Sequence, residues 1–155
     1  MEDNGGDSKK HPEQPLNIET DDQDVLIEQT SVRQNESEPY RRIFFSKKTQ
    51  IMVWYENETC EEIYGIQIAF GEYIQNHVIR WMKDKPISYT ISDEMKRMES
   101  PLLRANGQIN IDFFMRRYEP LIIQAPKAVK DLMLNIISEL KAGNYVRYPI
   151  SVNTR

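Results

Sequence analysis

Arginine and lysine stand beside aromatic residues at two places in this 155-residue chain. Arg41-Arg42 lie between Tyr40 and Phe44-Phe45, with Lys47-Lys48 shortly after and Trp54-Tyr55 beyond them; the second place is Arg116-Arg117-Tyr118. Basic side chains attract phosphates, and aromatic rings offer faces on which unpaired bases stack. The chemistry these residues suggest is capture of single-stranded nucleic acid. In it Arg41, Arg42, Lys47, Lys48, Arg116 and Arg117 meet phosphates while Trp54 or Tyr118 stacks. The same residue types also have a plainer use, since Phe44 or Phe45, Trp54, Trp81 and Phe113 are needed to fill a core.

Other chemistries find little support. One cysteine and two histidines cannot supply a zinc set. Around Gly107, a calcium loop would need oxygen ligands where Leu102, Arg104 and Phe113 stand, which leaves Asn106 alone. No nucleophile elbow and no glycine-rich phosphate loop occurs. Glu61-Glu62 and Asp93-Glu94 are adjacent in sequence, so they do not converge on a substrate. The expectation is a non-enzymatic binding protein with no metal and no cofactor.

Charge divides the chain. Residues 1–39 hold 11 acids, 3 basic residues and no aromatic, a net of −8, whereas residues 40–155 are net +4. A polar, acidic stretch cannot bury enough apolar surface to offset its ordering entropy, so 1–39 reads as a disordered tail. Residues 40–150 read as a single α+β domain and 151–155 as a C-terminal tail. The tail is interrupted by Val25-Leu26-Ile27, set among Asp22, Asp24 and Glu28. An apolar triplet flanked by acids suits an extended segment that adds to a partner's sheet edge. This triplet resembles motifs that bind the small ubiquitin-like modifier, and that resemblance implies Val25, Leu26 and Ile27 as a partner-binding motif. A single cysteine, the absence of an apolar run after a basic start, and the lack of any roughly 20-residue apolar stretch lead to the expectation of nucleus or cytoplasm and no membrane.

The elements that must position these side chains follow from periodicity. Arg41–Phe45 and Gln50–Tyr55 are β-branched and aromatic runs joined by four polar residues, a hairpin. Tyr64, Ile66, Ile68 and Phe70 alternate as a strand. Phe70, Ile74, Val78 and Trp81 suggest a helix over Gly71–Lys83, and Ile87–Ile91 a short extended run. A brief helix follows Ser92, then a turn at Ala105-Asn106-Gly107. Ile109, Ile111, Phe113 and Met115 alternate as another strand, ended by Glu119-Pro120, and Leu121–Ile123 reads as a third. Val129, Leu132, Met133, Ile136, Ile137 and Leu140 form one helical stripe over Pro126–Lys141, stopped by Gly143.

The expected fold is therefore α+β: an antiparallel sheet with two main helices packed on one face. Gln50–Lys83 and Gln108–Lys141 can each be cut as strand, strand, helix, which suggests two β-β-α units. A basic, aromatic sheet backed by helices is similar to the PUR-type and positive-cofactor-4-type single-strand binders, although no diagnostic motif of either occurs. The resemblance implies single-stranded nucleic acid bound on the sheet, in transcription or RNA regulation. The alternative is a protein-interaction or adaptor subunit, for instance a homodimer, acting through the exposed sheet or the Val25–Ile27 motif. Leu134, the large apolar residue off the helical stripe, is where such a partner would show.

Overall fold

A computed structural model describes residues 24–71, 77–91, 102–104 and 107–148. Its strands are β1 (Ile27–Glu28), β2 (Tyr40–Phe45), β3 (Thr49–Tyr55), β4 (Ile63–Phe70), β5 (His77–Met82), β6 (Ser88–Ile91) and β7 (Val146–Tyr148). Among the described residues two helices, α1 (Ile111–Ile122) and α2 (Lys127–Lys141), lie between β6 and β7. All seven strands form one sheet in chain order, antiparallel except where β7 pairs with β6 in parallel. The excursion through both helices is what allows the parallel pair, since a tight turn can only join antiparallel neighbours. The α+β class holds, as do the hairpin of β2 and β3, the strand β4 and the extended run of β6.

Residues opposite one another in a ladder share a face. One row runs Phe44, Ile51, Ile68, Ile79, Tyr89; a second runs Thr49, Phe70, His77, Ile91; a third runs Val53, Ile66, Trp81. These rows supply the sheet half of the core, joined by Ile111, Phe114, Tyr118, Leu121 and Ile122 from α1 and by Val129, Met133, Ile136, Ile137 and Leu140 from α2. Both helices thus cover the same face. Ile43 and Ala69 are buried but stand outside that cluster, because they point to the opposite face.

The sequence reading of α2 stands nearly residue for residue. Pro126 precedes the first turn, Val129 and Met133 are fully enclosed, and Gly143 ends the helix at φ 85°. Leu134, off the stripe, is 37% exposed.

Three other expectations are corrected. Residues 77–82 of the expected helix Gly71–Lys83 are strand β5, with His77, Ile79 and Trp81 facing the core and Val78, Arg80 and Met82 facing away. A period of two explains the apolar residues there at least as well as a helical stripe, and the open edge of β4 provides the partner. The expected strands at 109–115 and 121–123 are replaced largely by α1, whose buried residues recur at helical spacing. Its start is fixed by Asn110, whose side chain accepts the Phe113 N–H at 3.2 Å. Pro120 is tolerated near the end of α1. The two β-β-α units therefore do not exist: β3, β4 and β5 are consecutive strands, and the second half is helix followed by helix. The brief helix expected after Ser92 lies outside the described residues, as do residues 1–23 and 149–155.

Order also begins earlier than Tyr40. Ile27 pairs with Phe45 and Glu28 with Phe44, and the Gln29 N–H donates to the Ile43 carbonyl at 2.9 Å. The Gln124 side chain closes the outer edge of this strand, accepting the Leu26 N–H at 2.8 Å and donating to the Asp24 carbonyl at 3.2 Å. Glu28 meets Arg42 through both carboxylate oxygens, at 2.7 and 2.8 Å.

Candidate nucleic-acid interface

The sheet face turned away from the helices is built from three rows. The first runs Arg41, Trp54, Gly65, Met82; the second Ile43, Met52, Gln67, Arg80, Ser88, Val146; the third Ile27, Phe45, Gln50, Ala69, Val78, Thr90. Among the described strand residues of this face there is no carboxylate, although the whole chain is net −4. Its charged residues are Arg41 and Arg80. They stand on either side of Trp54: Arg41 is its cross-strand neighbour, and the Arg80 guanidinium carbon lies 5.9 Å from its ring centroid. Gln67 holds Arg80 in place, its side-chain oxygen accepting from Nε at 2.9 Å and from Nη2 as well.

Gly65 makes room in the first row. A Cβ built there would lie 2.3 Å from the Met82 sulfur, so the thioether crosses the space that any side chain would fill. Beside it, Gln67, Val78, Arg80, Met82, Ser88 and Thr90, with Lys85 and Pro86 of the β5–β6 turn, line a depression of about 470 Å³.

The residues singled out in the sequence do not form one surface. Arg41 and Trp54 share the open face, with the Arg41 side chain also donating to the Arg33 carbonyl at 2.9 Å. Arg42, one residue on, points to the covered face. There it pairs with Glu28 and lies over the rings of Phe44 and Tyr55 at 5.1 and 5.9 Å. That partner raises the Arg42 pKa, and the Arg42 hydrogen bond lowers that of Glu28. Tyr118 is 2% exposed, packed against Phe70 and Phe114, and its hydroxyl donates to the Gly71 carbonyl at 3.2 Å. It sits on a helix rather than on the expected strand, and it has no free face for a base.

Lys47 and Lys48 are at the tip of the β2–β3 hairpin. The Lys47 N–H donates to the Asp24 carboxylate at 3.1 Å. Lys48 lines a second depression with Arg116, Arg117 and Asp24, at the edge of the sheet on the helix side. Arg116 lies over the Phe113 ring at 5.7 Å. Val25 and Ile27 are exposed beside Phe45 at a corner of the open face, whereas Leu26 is half-buried against the core.

Sequence reasoning missed Arg80, Gln67, Lys85, Ser88 and Thr90. The signal was available in β5, where Val78, Arg80 and Met82 alternate with His77, Ile79 and Trp81. No protein-family model matches the chain, and neither does any curated protein or solved structure. Among the described residues no helix is long and apolar enough to cross a membrane, and no group of three or more His, Cys, Asp or Glu is placed to hold a metal ion.

Proposed function

We propose that this protein binds single-stranded nucleic acid, without catalysis, on the sheet face the helices leave uncovered. The observation that carries the reading is the absence of carboxylates from the described strands of that face, together with Trp54 set between Arg41 and Arg80. Phosphates repel carboxylates, so described strands that turn none to this face, in an acidic chain, suit a polyanion. Bases would stack on Trp54, and the strand's phosphates would meet Arg41, Arg80 and Lys85. Lys47 stands at the corner of this face beside the Asp24 carboxylate, and Lys48 lies on the helix side. A role in transcription or RNA regulation, in nucleus or cytoplasm, accords with such binding. Titrating fluorescent oligonucleotides against the full chain and against Trp54→Ala tests the reading.

A second reading rests on a different observation. Val25, Ile27 and Phe45 are exposed together, 57%, 51% and 38% respectively, around a largely apolar hollow. A protein partner, including a second copy of this chain, would bury such a corner. Docking to the small ubiquitin-like modifier through Val25–Ile27 would first require this segment to leave β2 and Gln124, because both of its edges are engaged there. Light scattering of the full chain and of Phe45→Ser reports whether that corner mediates self-association.

A further inference from the structure

The depression between β4, β5 and β6 has a composition of its own. Two cations, Arg80 and Lys85, three neutral hydrogen-bonding side chains, Gln67, Ser88 and Thr90, and the apolar Val78 and Met82 line it. Its lining includes no acid. Arg80 is fixed from two directions, by the Gln67 side-chain oxygen and by the Trp54 ring, so its guanidinium is pre-organised and loses little rotamer freedom when a ligand arrives. Arg80 and Ser88 are direct cross-strand partners, as are Val78 and Thr90, so these groups sit on adjoining pairs of one rigid ladder rather than on a loop.

A ligand that satisfies all three kinds of group must carry an anion, a flat apolar surface and a polar edge. A nucleotide has these three parts. We propose that this depression is a single-nucleotide subsite. Its phosphate meets Arg80 and Lys85, its base lies over Val78 and Met82, and the base edge is read by the Ser88 and Thr90 hydroxyls. The proposal rests on the open-face reading and sharpens it. Trp54 stacks a neighbouring base without regard to its identity, because every base has a π-face, and base preference arises in the depression.

The experiment uses the full chain, isotopically labelled, with AMP, CMP, UMP and inorganic phosphate as separate probes, followed by uniform dA, dC and dT oligonucleotides. The subsite requires that at least one mononucleotide shift the amide resonances of Gln67, Arg80, Ser88 and Thr90 more than phosphate does. Arg80→Gln and Lys85→Gln should each weaken that binding by ~5-fold or more. Ser88→Ala combined with Thr90→Val should change the ranking of the three oligonucleotides by ~5-fold or more, the range of a lost base contact, while leaving the salt dependence as it was. If oligonucleotides bind and Trp54→Ala weakens them, but the ranking ignores Ser88 and Thr90, the subsite is wrong and the open-face reading survives. If no oligonucleotide binds but a mononucleotide shifts these resonances, the subsite holds for free nucleotides and the open-face reading is wrong. Resonances shifted equally by phosphate and by all mononucleotides overturn base recognition in the depression.

Discussion

Trp54 and Arg80 sit two strands apart, on β3 and β5, yet the guanidinium carbon lies 5.9 Å from the indole centroid. The contact spans β4, where Gly65 opposite Trp54 carries no side chain and Gln67 holds the guanidinium. A half-exposed indole with a cation fixed next to it binds a base by stacking and the adjoining phosphate by charge. Trp54→Ala is expected to cost about 1–3 kcal/mol of oligonucleotide affinity, the range of a lost base–aromatic stack. Because Trp81 is the other tryptophan and faces the core, fluorescence quenching on binding should disappear largely with Trp54.

Arg41 and Arg42 are neighbours in sequence with opposite fates. Arg41→Ala should weaken nucleic-acid binding and lower its salt dependence, as loss of a phosphate contact does. Arg42→Ala should leave binding close to unchanged and instead free Glu28. The hydrogen-bonded carboxylate is held below its ordinary pKa by Arg42. Its contribution is therefore present above the unfolded carboxylate value and is lost as the pH falls through the lower folded one. The exchange protection factors of Ile27 and Gln29, each rate being referred to the intrinsic rate at its pH, should fall in Arg42→Ala, and in wild type as the pH falls through that window.

His77 gives the fold an acid limit. It is fully enclosed, stacked between Phe70 and Tyr89, with Nδ1 2.8 Å from the Tyr89 hydroxyl. Burial pushes its pKa down to about 4. In the unfolded chain a histidine titrates near ~6.5, so between ~6.5 and 4 the unfolded state binds more protons and stability falls with falling pH. The full difference is roughly 3 kcal/mol at ~1.4 kcal/mol per unit. Urea midpoints measured from pH 7 to pH 4 should show this slope, and His77→Phe with Tyr89→Phe should flatten it.

The same physics explains how much could be read from the chain alone. Val129 to Leu140 repeats at helical spacing between Pro126 and Gly143, so α2 was visible without any partner. Local pattern was ambiguous for β5 and α1. Ile109, Ile111, Phe113 and Met115 alternate, yet beyond Ile111 it is Phe114, Tyr118 and Leu121 that the core buries, and long-range packing decides between the two. Arg41 and Trp54 lie on the two strands of one hairpin, which is legible locally and makes them cross-strand neighbours. The place of Arg80 is not, because it depends on a strand order that no local signal states. Glu28 belongs by composition to an acidic stretch; Arg42, half-buried beside it, gives it a partner in the fold.

Gln124 holds the first strand from outside through one amide group. Gln124→Ala should cost about 0.5–1.5 kcal/mol, the range of an ordinary hydrogen bond, and the loss should fall on the segment near Leu26. The Leu26 amide is the probe: its exchange protection should drop while that of Ile51 and Ile66 in the sheet centre stays.

Tyr118 separates core from surface. Tyr118→Ala should destabilise the protein by about 3–5 kcal/mol, as loss of a large buried aromatic does. Tyr118→Phe should cost about 1 kcal/mol for the hydrogen bond to Gly71 and leave oligonucleotide affinity unchanged.

The central claim is that the uncovered sheet face binds single strands. It is tested most directly by titrating a labelled oligonucleotide with the full chain and with Trp54→Ala, at ~50 and ~200 mM salt. The expected result is binding by the full chain that weakens steeply between the two salt concentrations and is weaker again in Trp54→Ala. Absence of binding at the lower salt, or equal binding by Trp54→Ala, would contradict it.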